Sequence, residues 1–156
     1  MVRHSQWAGA LSAPELEAVL RDIEQRDVPA GDFVARGGEV VEDWIGIVDG
    51  FAKMSVASPE GRVSTLTGVG AGVWFGEGSL LKHEKRRYDV LAVRPSKVAL
   101  MPRETFEWLR HSSFPFNHYL QDLLNARLSL FIGTLGHDRR VDTDARIAQG
   151  LSSLVN

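Results

Sequence analysis

The stretch Trp44-Ile45-Gly46-Ile47-Val48-Asp49-Gly50-Phe51-Ala52-Lys53 decides the fold class. Two apolar runs, Trp44–Val48 and Phe51–Val56, are separated by Asp-Gly, one of the dipeptides favoured in two-residue hairpin turns. Read alone, residues 44–56 predict a β-hairpin. Outward from it the same rhythm continues. The runs Val63–Leu66, Tyr88–Val93 and Val98–Met101 alternate with turn signals at Pro29–Gly31, Gly37–Gly38, Pro59–Gly61, Gly68–Gly72 and Arg94–Ser96. Glu60–Gly61 marks a second hairpin. Turns about ten residues apart are the signature of a sandwich, jelly roll or small barrel, so residues 28–101 are expected to be β.

The flanks are helical. Ser12 and Glu15 have capping-box spacing, and Leu11 and Leu16 are placed for a hydrophobic staple. Leu16, Val19, Leu20 and Ile23 then recur on one face, which predicts a helix over residues 11–27. After Met101, Pro102 suits a first helical turn, with Phe106 and Leu109 on one face. Ser112 or Ser113 can cap a further helix with Pro115 just inside it. From there Phe116, Leu120, Leu123, Leu124, Leu128, Phe131 and Leu135 keep helical spacing for about 23 residues, roughly 35 Å. So long an apolar stripe can cover the chain's own sheet or pair with a second copy, and one small β domain rarely covers it all. Gly133 and Gly136 are expected to loosen this helix. Asp142 or Thr143 can cap another that carries Ile147, Ala148, Leu151 and Leu154, and that has little left to pack against before Asn156, as at the end of a truncated chain.

Composition removes whole classes. The 156 residues suffice for one domain with a core of its own. With 44% hydrophobic and 24% charged residues the chain is neither disordered nor of low complexity. Eighteen basic against 20 acidic residues give a net charge of −2, which lacks the basic field of a dedicated nucleic-acid binder. The absence of cysteine excludes disulfides, thiol catalysis and zinc–thiolate sites. No apolar run approaches a membrane span and no signal-peptide core is present, so a cytoplasmic protein without a membrane partner is expected. His4, His83, His111, His118 and His137 form no H-x-H or H-x-x-x-H pair, and no metal is expected.

The chemistry concentrates in residues 70–88, GAGVWFGEGSLLKHEKRRY. A dinucleotide fingerprint needs its third glycine one place earlier and a crossover helix, and a nucleophile elbow needs G-x-S-x-G; neither frame is met. No acid–base pair suggests an enzyme. Two readings stay open. Gly76 to Leu81 could form a turn whose backbone N–H groups face an anion, with Arg87 returning as a forked cationic partner and Glu77 accepting from a sugar hydroxyl. Alternatively this is a glycine-rich turn followed by a solvated basic loop, Lys82 to Arg87, as charge runs usually are.

The order of elements and three motifs resemble one family. Residues 44–53 look like the hairpin I-x-x-G-x-V/A-K of the cyclic-nucleotide-binding domain. Gly72-Val73-Trp74-Phe75-Gly76-Glu77 is similar to the G-x-x-F-G-E that opens its phosphate-binding cassette. Asp142 to Leu151, DTDARIAQGL, resembles the D-x-x-x-R-I-A-x-x-L that leads into the DNA-binding domain of CRP/FNR transcription regulators. The resemblance implies an α+β chain: an antiparallel, jelly-roll-like β-roll flanked by an N-terminal helix and a long C-terminal dimerisation helix. It implies a sensor domain over 1–114, a central helix over 115–140, and over 141–156 the start of a helix leading to an absent helix-turn-helix domain. Ligand contacts would then come from Gly76, Glu77, Gly78, Ser79, Arg87, Tyr88 and Phe131, and the homodimer seam from Leu120, Leu124, Leu128, Phe131 and Leu135. Arg87 is expected at the place of the cassette arginine.

The implied function is regulatory and not enzymatic. A small-molecule effector biases the central helices, and DNA is touched only through the absent domain; a cyclic-nucleotide module with no DNA role is the alternative. The departures bear on the ligand. Tyr88 and Asp89 stand where cAMP sensors carry small residues, Gly78 and Ser79 replace an apolar–small pair, and Phe131 and Ile132 replace two hydroxyl side chains. The expected effector is a cyclic nucleotide or another anion, with cAMP bound weakly or not at all. Iron–sulfur sensing is excluded with the cysteines, and only His83 lies near the pocket region as a haem ligand.

Overall fold

A computed structural model describes residues 1–137. The chain divides into two compact units, Met1–Asn117 and His118–Asn156. The expected helix over 141–156 lies outside the described residues.

The first unit opens with two single 3₁₀ turns, Val2–His4 and Ala8–Ala10, followed by α1, Ala13–Asp22. Ser12 caps α1 as expected: its Oγ accepts from the Glu15 N–H, and Glu15 Oε1 accepts from the Ser12 N–H at 2.9 Å. The helix is shorter than its apolar spacing predicts. Residues Glu24–Val28 form strand β1 instead, antiparallel to β8. They show no apolar period because all but Val28 are exposed, which is why they were legible only as a helix tail.

The remaining strands are β2 Phe33–Ala35, β3 Asp43–Asp49, β4 Phe51–Ala57, β5 Val63–Gly70, β6 Trp74–Phe75, β7 Asp89–Ala92 and β8 Ser96–Pro102. They form two antiparallel four-stranded sheets, ordered β1-β8-β3-β6 and β2-β7-β4-β5. This is the expected antiparallel β-roll. Between the sheets lies a core of small and β-branched side chains: Val28, Val34, Ile45, Ile47, Ala52, Val69, Phe75, Val90, Ala92 and Val98. Fully burying a side chain of the Val, Ile or Phe kind is worth about 1.5–3 kcal/mol, so this layer holds the sheets face to face.

One expectation is overturned here. Asp49–Gly50 does not close a hairpin, because β3 and β4 belong to different sheets. It is a corner at which the chain crosses from one sheet to the other. Gly50 has φ +104°, and a Cβ on it would lie 2.2 Å from Ser96 Oγ, so this corner admits only glycine. The Asp49 carboxylate accepts the Gly50 N–H at 2.9 Å, an interaction as well suited to a corner as to a hairpin. The second expected turn does close a hairpin: β4 and β5 pair across Ser58–Arg62.

Sheet β1-β8-β3-β6 is covered on its other face by an aromatic cluster. Trp7 meets Trp44 and Trp74 with ring centroids 5.6 and 5.2 Å away, and Phe106 and Phe116 pack edge-on against Trp44. Trp7, Trp44, Phe106 and Phe116 are wholly buried, whereas Trp108 is largely exposed. Three tryptophans scattered through the sequence thus form one layer.

Between β6 and β7 the chain makes a short helix, α2, Glu77–Lys82. After β8 comes α3, Arg103–Ser112, with Pro102 as its N-cap. Then follows α4, Phe114–His137. Ser113 caps α4, its Oγ accepting the Phe116 N–H at 3.2 Å, with Pro115 in the first turn, as expected. Gly133 does not end the helix, which continues to His137 because one exposed glycine costs only about 1 kcal/mol relative to alanine.

Candidate functional site

The site is built where β6 turns into α2 and the chain returns into β7. Gly76, the N-cap of α2, is buried at φ +98°. A Cβ there would stand 3.2 Å from Nη1 of Arg86 and 3.7 Å from the Asp43 carbonyl oxygen. The glycine therefore makes room for a guanidinium as well as for the turn.

That guanidinium belongs to Arg86, not Arg87. Arg86 is only 6% exposed. Its Cζ lies 5.8 Å from the Phe75 ring centroid and 5.6 Å from that of Tyr88, beside both aromatic rings. Its backbone is tied to the turn before β3: the Arg86 N–H donates to Glu39 O, and the Gly38 N–H donates to Arg86 O. The Arg87 side chain is 63% exposed and pairs with Glu84 at 3.4 Å on the surface. Arg87, expected at the cassette, thus lies on the surface, and its neighbour Arg86 is the arginine that faces in. The reason is strand alternation: Arg86, Tyr88, Val90 and Ala92 share the inner face, and Arg87 falls on the other. Counting back in twos from the apolar Val90 and Ala92 is the signal that could have found it.

Arg86 is a buried cation with little to answer it. Among the described residues no carboxylate ion-pairs with it. Its one side-chain hydrogen bond there is donated from Nη1 to the Tyr88 hydroxyl, at 3.5 Å. Tyr88 packs edge-on to Phe75, with centroids 6.4 Å apart, and against the core. Burial raises its phenol above the ordinary value, against the opposing pull of Arg86, so the hydroxyl keeps its proton at neutral pH. Asp43, half-buried nearby, is also raised, first by burial and then by Glu42, although Arg26 and Arg86 pull the other way.

Glu77 is buried, but it turns inward. Its Oε2 accepts the indole N–H of Trp44 at 3.1 Å, which binds the cassette to the aromatic layer. Trp44 was the unforeseen partner, since nothing in residues 44–53 marks an indole for a carboxylate 33 positions away. Gly78 and Ser79 lie half-buried along α2. Asp89, expected to bring negative charge to the ligand, instead accepts the Gly37 N–H at 2.7 Å. Phe131 lies on α4 in the second unit, 41% exposed.

The far end of α2 is held by a residue that the sequence did not single out. Arg103, first in α3, donates to Leu80 O at 3.0 Å and to Val41 O, and its Nη1 lies 2.6 Å from His83 Nδ1. A guanidinium has no acceptor, so His83 carries its proton on Nε2. One side chain thereby joins α2, the cap of α2 and the segment before β3. His83 is committed to this contact.

These features define a β-roll with a buried arginine beside a glycine-capped helical turn, the architecture of a cyclic nucleotide-binding domain. The family model for the cyclic nucleotide-binding domain matches residues 25–113, and the chain belongs to this family. A cyclic nucleotide-gated potassium channel of Rhizobium etli is 32% identical over 103 residues, which are 66% of this chain but only 27% of the channel. The sensor domain of the transcriptional regulator DNR from Pseudomonas aeruginosa superposes with a TM-score of 0.75 at 20% identity, covering 85% of this chain and 89% of that one. The catabolite activator protein of Thermus thermophilus does so with 0.72 at 24% identity, covering 86% of this chain and 61% of that one. Both are regulators of the CRP/FNR type, and at these identities the likeness is one of fold. Among the described residues no helix is long and apolar enough to cross a membrane.

Proposed function

We propose that this chain is the ligand-sensing and dimerisation part of a CRP/FNR-type transcription regulator. In this reading a small anionic effector is held by Arg86, α4 pairs with a second copy, and the coupled output is DNA binding by a helix-turn-helix domain not contained in these 156 residues. The role is regulatory and not catalytic, and its place is the cytoplasm. The observation that carries the reading is Arg86 itself. A cation taken out of water costs several kcal/mol unless compensated, and among the described residues no carboxylate forms an ion pair with this one, although Asp43 lies within its electrostatic reach. An anion entering beside Gly76 would. Gly78, Ser79 and Tyr88 stay in the proposed site, Arg86 replaces Arg87, and Glu77 is assigned to Trp44 in place of a sugar.

Support for the dimer comes from α4. Leu124, Leu128 and Phe131 are 37%, 39% and 41% exposed, and Leu135 extends their row at heptad-like spacing. Leu120 is already buried and has little surface left to give. Support for the DNA-linked output is the segment 142–151, which lies outside the described residues. The channel of Rhizobium etli favours a second reading, a cyclic-nucleotide module with no DNA role.

Calorimetric titration of the chain with cAMP, cGMP and small oxyanions tests the sensor reading. Saturable binding of at least one, abolished by Arg86→Gln and untouched by Arg87→Gln, is expected. Binding that survives Arg86→Gln refutes it.

A further inference from the structure

We propose that Tyr88 is the specificity determinant of this site: with Arg86 it forms an all-donor pair that takes a compact oxyanion and turns away a cyclic nucleotide. The inference rests on the reading of Arg86 as the anion contact.

The argument is one of proton inventory and space. Arg86 has five N–H donors and no acceptor. Its Nη1 donates toward the Tyr88 oxygen, so the phenol proton cannot return to Arg86 and must point elsewhere. Among the described residues no acceptor takes it. At 3.5 Å the Arg86–Tyr88 contact is long for a hydrogen bond, and an oxygen entering beside it can engage both donors. Asp43 lies within electrostatic reach of Arg86 but makes no ion pair with it, so what the pair lacks is a directly bonded acceptor carrying negative charge.

Space limits what that acceptor can be. The guanidinium lies beside both the Phe75 and the Tyr88 ring, 5.8 and 5.6 Å from their centroids, and the Gly76 backbone closes on its Nη1 side. Tyr88 packs into the core cluster and is not a loose surface ring. Glu77 is engaged through Oε2 by the Trp44 indole, which leaves it less to offer a sugar hydroxyl. Asp89 is engaged by the Gly37 N–H. A phosphate- or carboxylate-sized group meets both donors, whereas a ribose and base must displace the tyrosine ring.

The test uses inorganic phosphate, acetate and cAMP as probes, titrated against the whole chain by calorimetry and by amide-proton NMR of residues 75–90. Expected is saturable binding of phosphate or acetate by the wild type, with cAMP much weaker. Tyr88→Phe, which keeps the ring and removes the donor, should weaken oxyanion binding about tenfold, the loss of one charge-assisted hydrogen bond. Tyr88→Ala should weaken the oxyanion and strengthen cAMP. Cyclic nucleotide binding by the wild type that is lost in Arg86→Gln overturns this inference and leaves the sensor reading standing. Oxyanion binding that Tyr88→Phe does not change also overturns it. If neither phosphate nor acetate binds, the inference falls, and the sensor reading is then judged on cAMP and cGMP alone. A folded Tyr88→Phe chain, checked by its NMR dispersion, keeps the comparison valid.

Discussion

Trp44 Nε1 donates to Glu77 Oε2 across 3.1 Å, joining the aromatic layer to the first residue of α2. The carboxylate is 1% exposed and the indole is wholly buried. The bond fixes how the glycine-capped turn sits on the sheet, because β3 carries Trp44 outward and Ile45 inward, toward the core. It also engages Glu77, the carboxylate that the sequence marks for a sugar hydroxyl.

A double-mutant cycle with Trp44→Phe and Glu77→Ala measures this bond. Each single change should destabilise the fold, and the coupling between them should be about 1–2 kcal/mol, as for a hydrogen bond to a charged or strongly polar buried partner. Denaturant unfolding reads it; strict additivity would show that the bond contributes nothing beyond packing.

Arg86 and Arg87 should behave oppositely although they are neighbours. Arg87→Ala removes an exposed pair with Glu84 and should change stability by no more than about 0.5 kcal/mol. Arg86→Ala removes a buried cation packed beside two rings and opens a cavity beside Gly76, and should cost clearly more. Thermal unfolding of the two variants side by side decides which arginine faces in.

Asp43 should leave a pH signature. Its folded-state value is raised above the ordinary 3.8, chiefly by burial. The native state therefore holds this proton more tightly than the unfolded chain does. The resulting stability is fully present below the unfolded value and is lost as pH rises through the folded one. Asp43→Asn should gain stability relative to the wild type at neutral pH, and the advantage should vanish toward pH 3. Urea midpoints across that range check the sign; an advantage that grows on acidification refutes it.

Arg103→Ala should loosen the cassette. It deletes the donors to Leu80 O and Val41 O and the contact to His83. The expected cost is about 1–3 kcal/mol, with faster amide exchange in α2 and residues 83–86 while the sheets keep their protection. Uniformly faster exchange would mean global destabilisation and no specific strut.

Leu124→Glu tests α4 as an interface. Light scattering of the wild type should report a dimer, and the charged variant a folded monomer, because an unpaired carboxylate buried in such a seam costs several kcal/mol. A wild-type chain that stays monomeric at high micromolar concentration contradicts the pairing.

Much of this was legible in local sequence. The Ser12–Glu15 capping box, the Ser113 cap with Pro115, the turn at Ser58–Arg62 and the order of helix, glycine-punctuated strands and long helix are short-range matters. Residues within four positions of each other meet whatever the rest of the chain does, so the spacing of their types carries the answer. Tertiary structure decided the remainder. Asp49–Gly50 is compatible with a hairpin or a corner, and only the partners of β3 and β4 chose the corner. Residues 24–28 became a strand because β8 offered a free edge, not because their own side chains asked for one. Arg86 and Arg87 are the same residue type in adjacent positions. Which one enters the roll depends on the register of β7, where a shift of one position exchanges inside for outside. Glu77 chose Trp44 for a like reason: a buried carboxylate takes the donor that the folded chain brings within hydrogen-bond reach, and no spacing along the chain announces that donor.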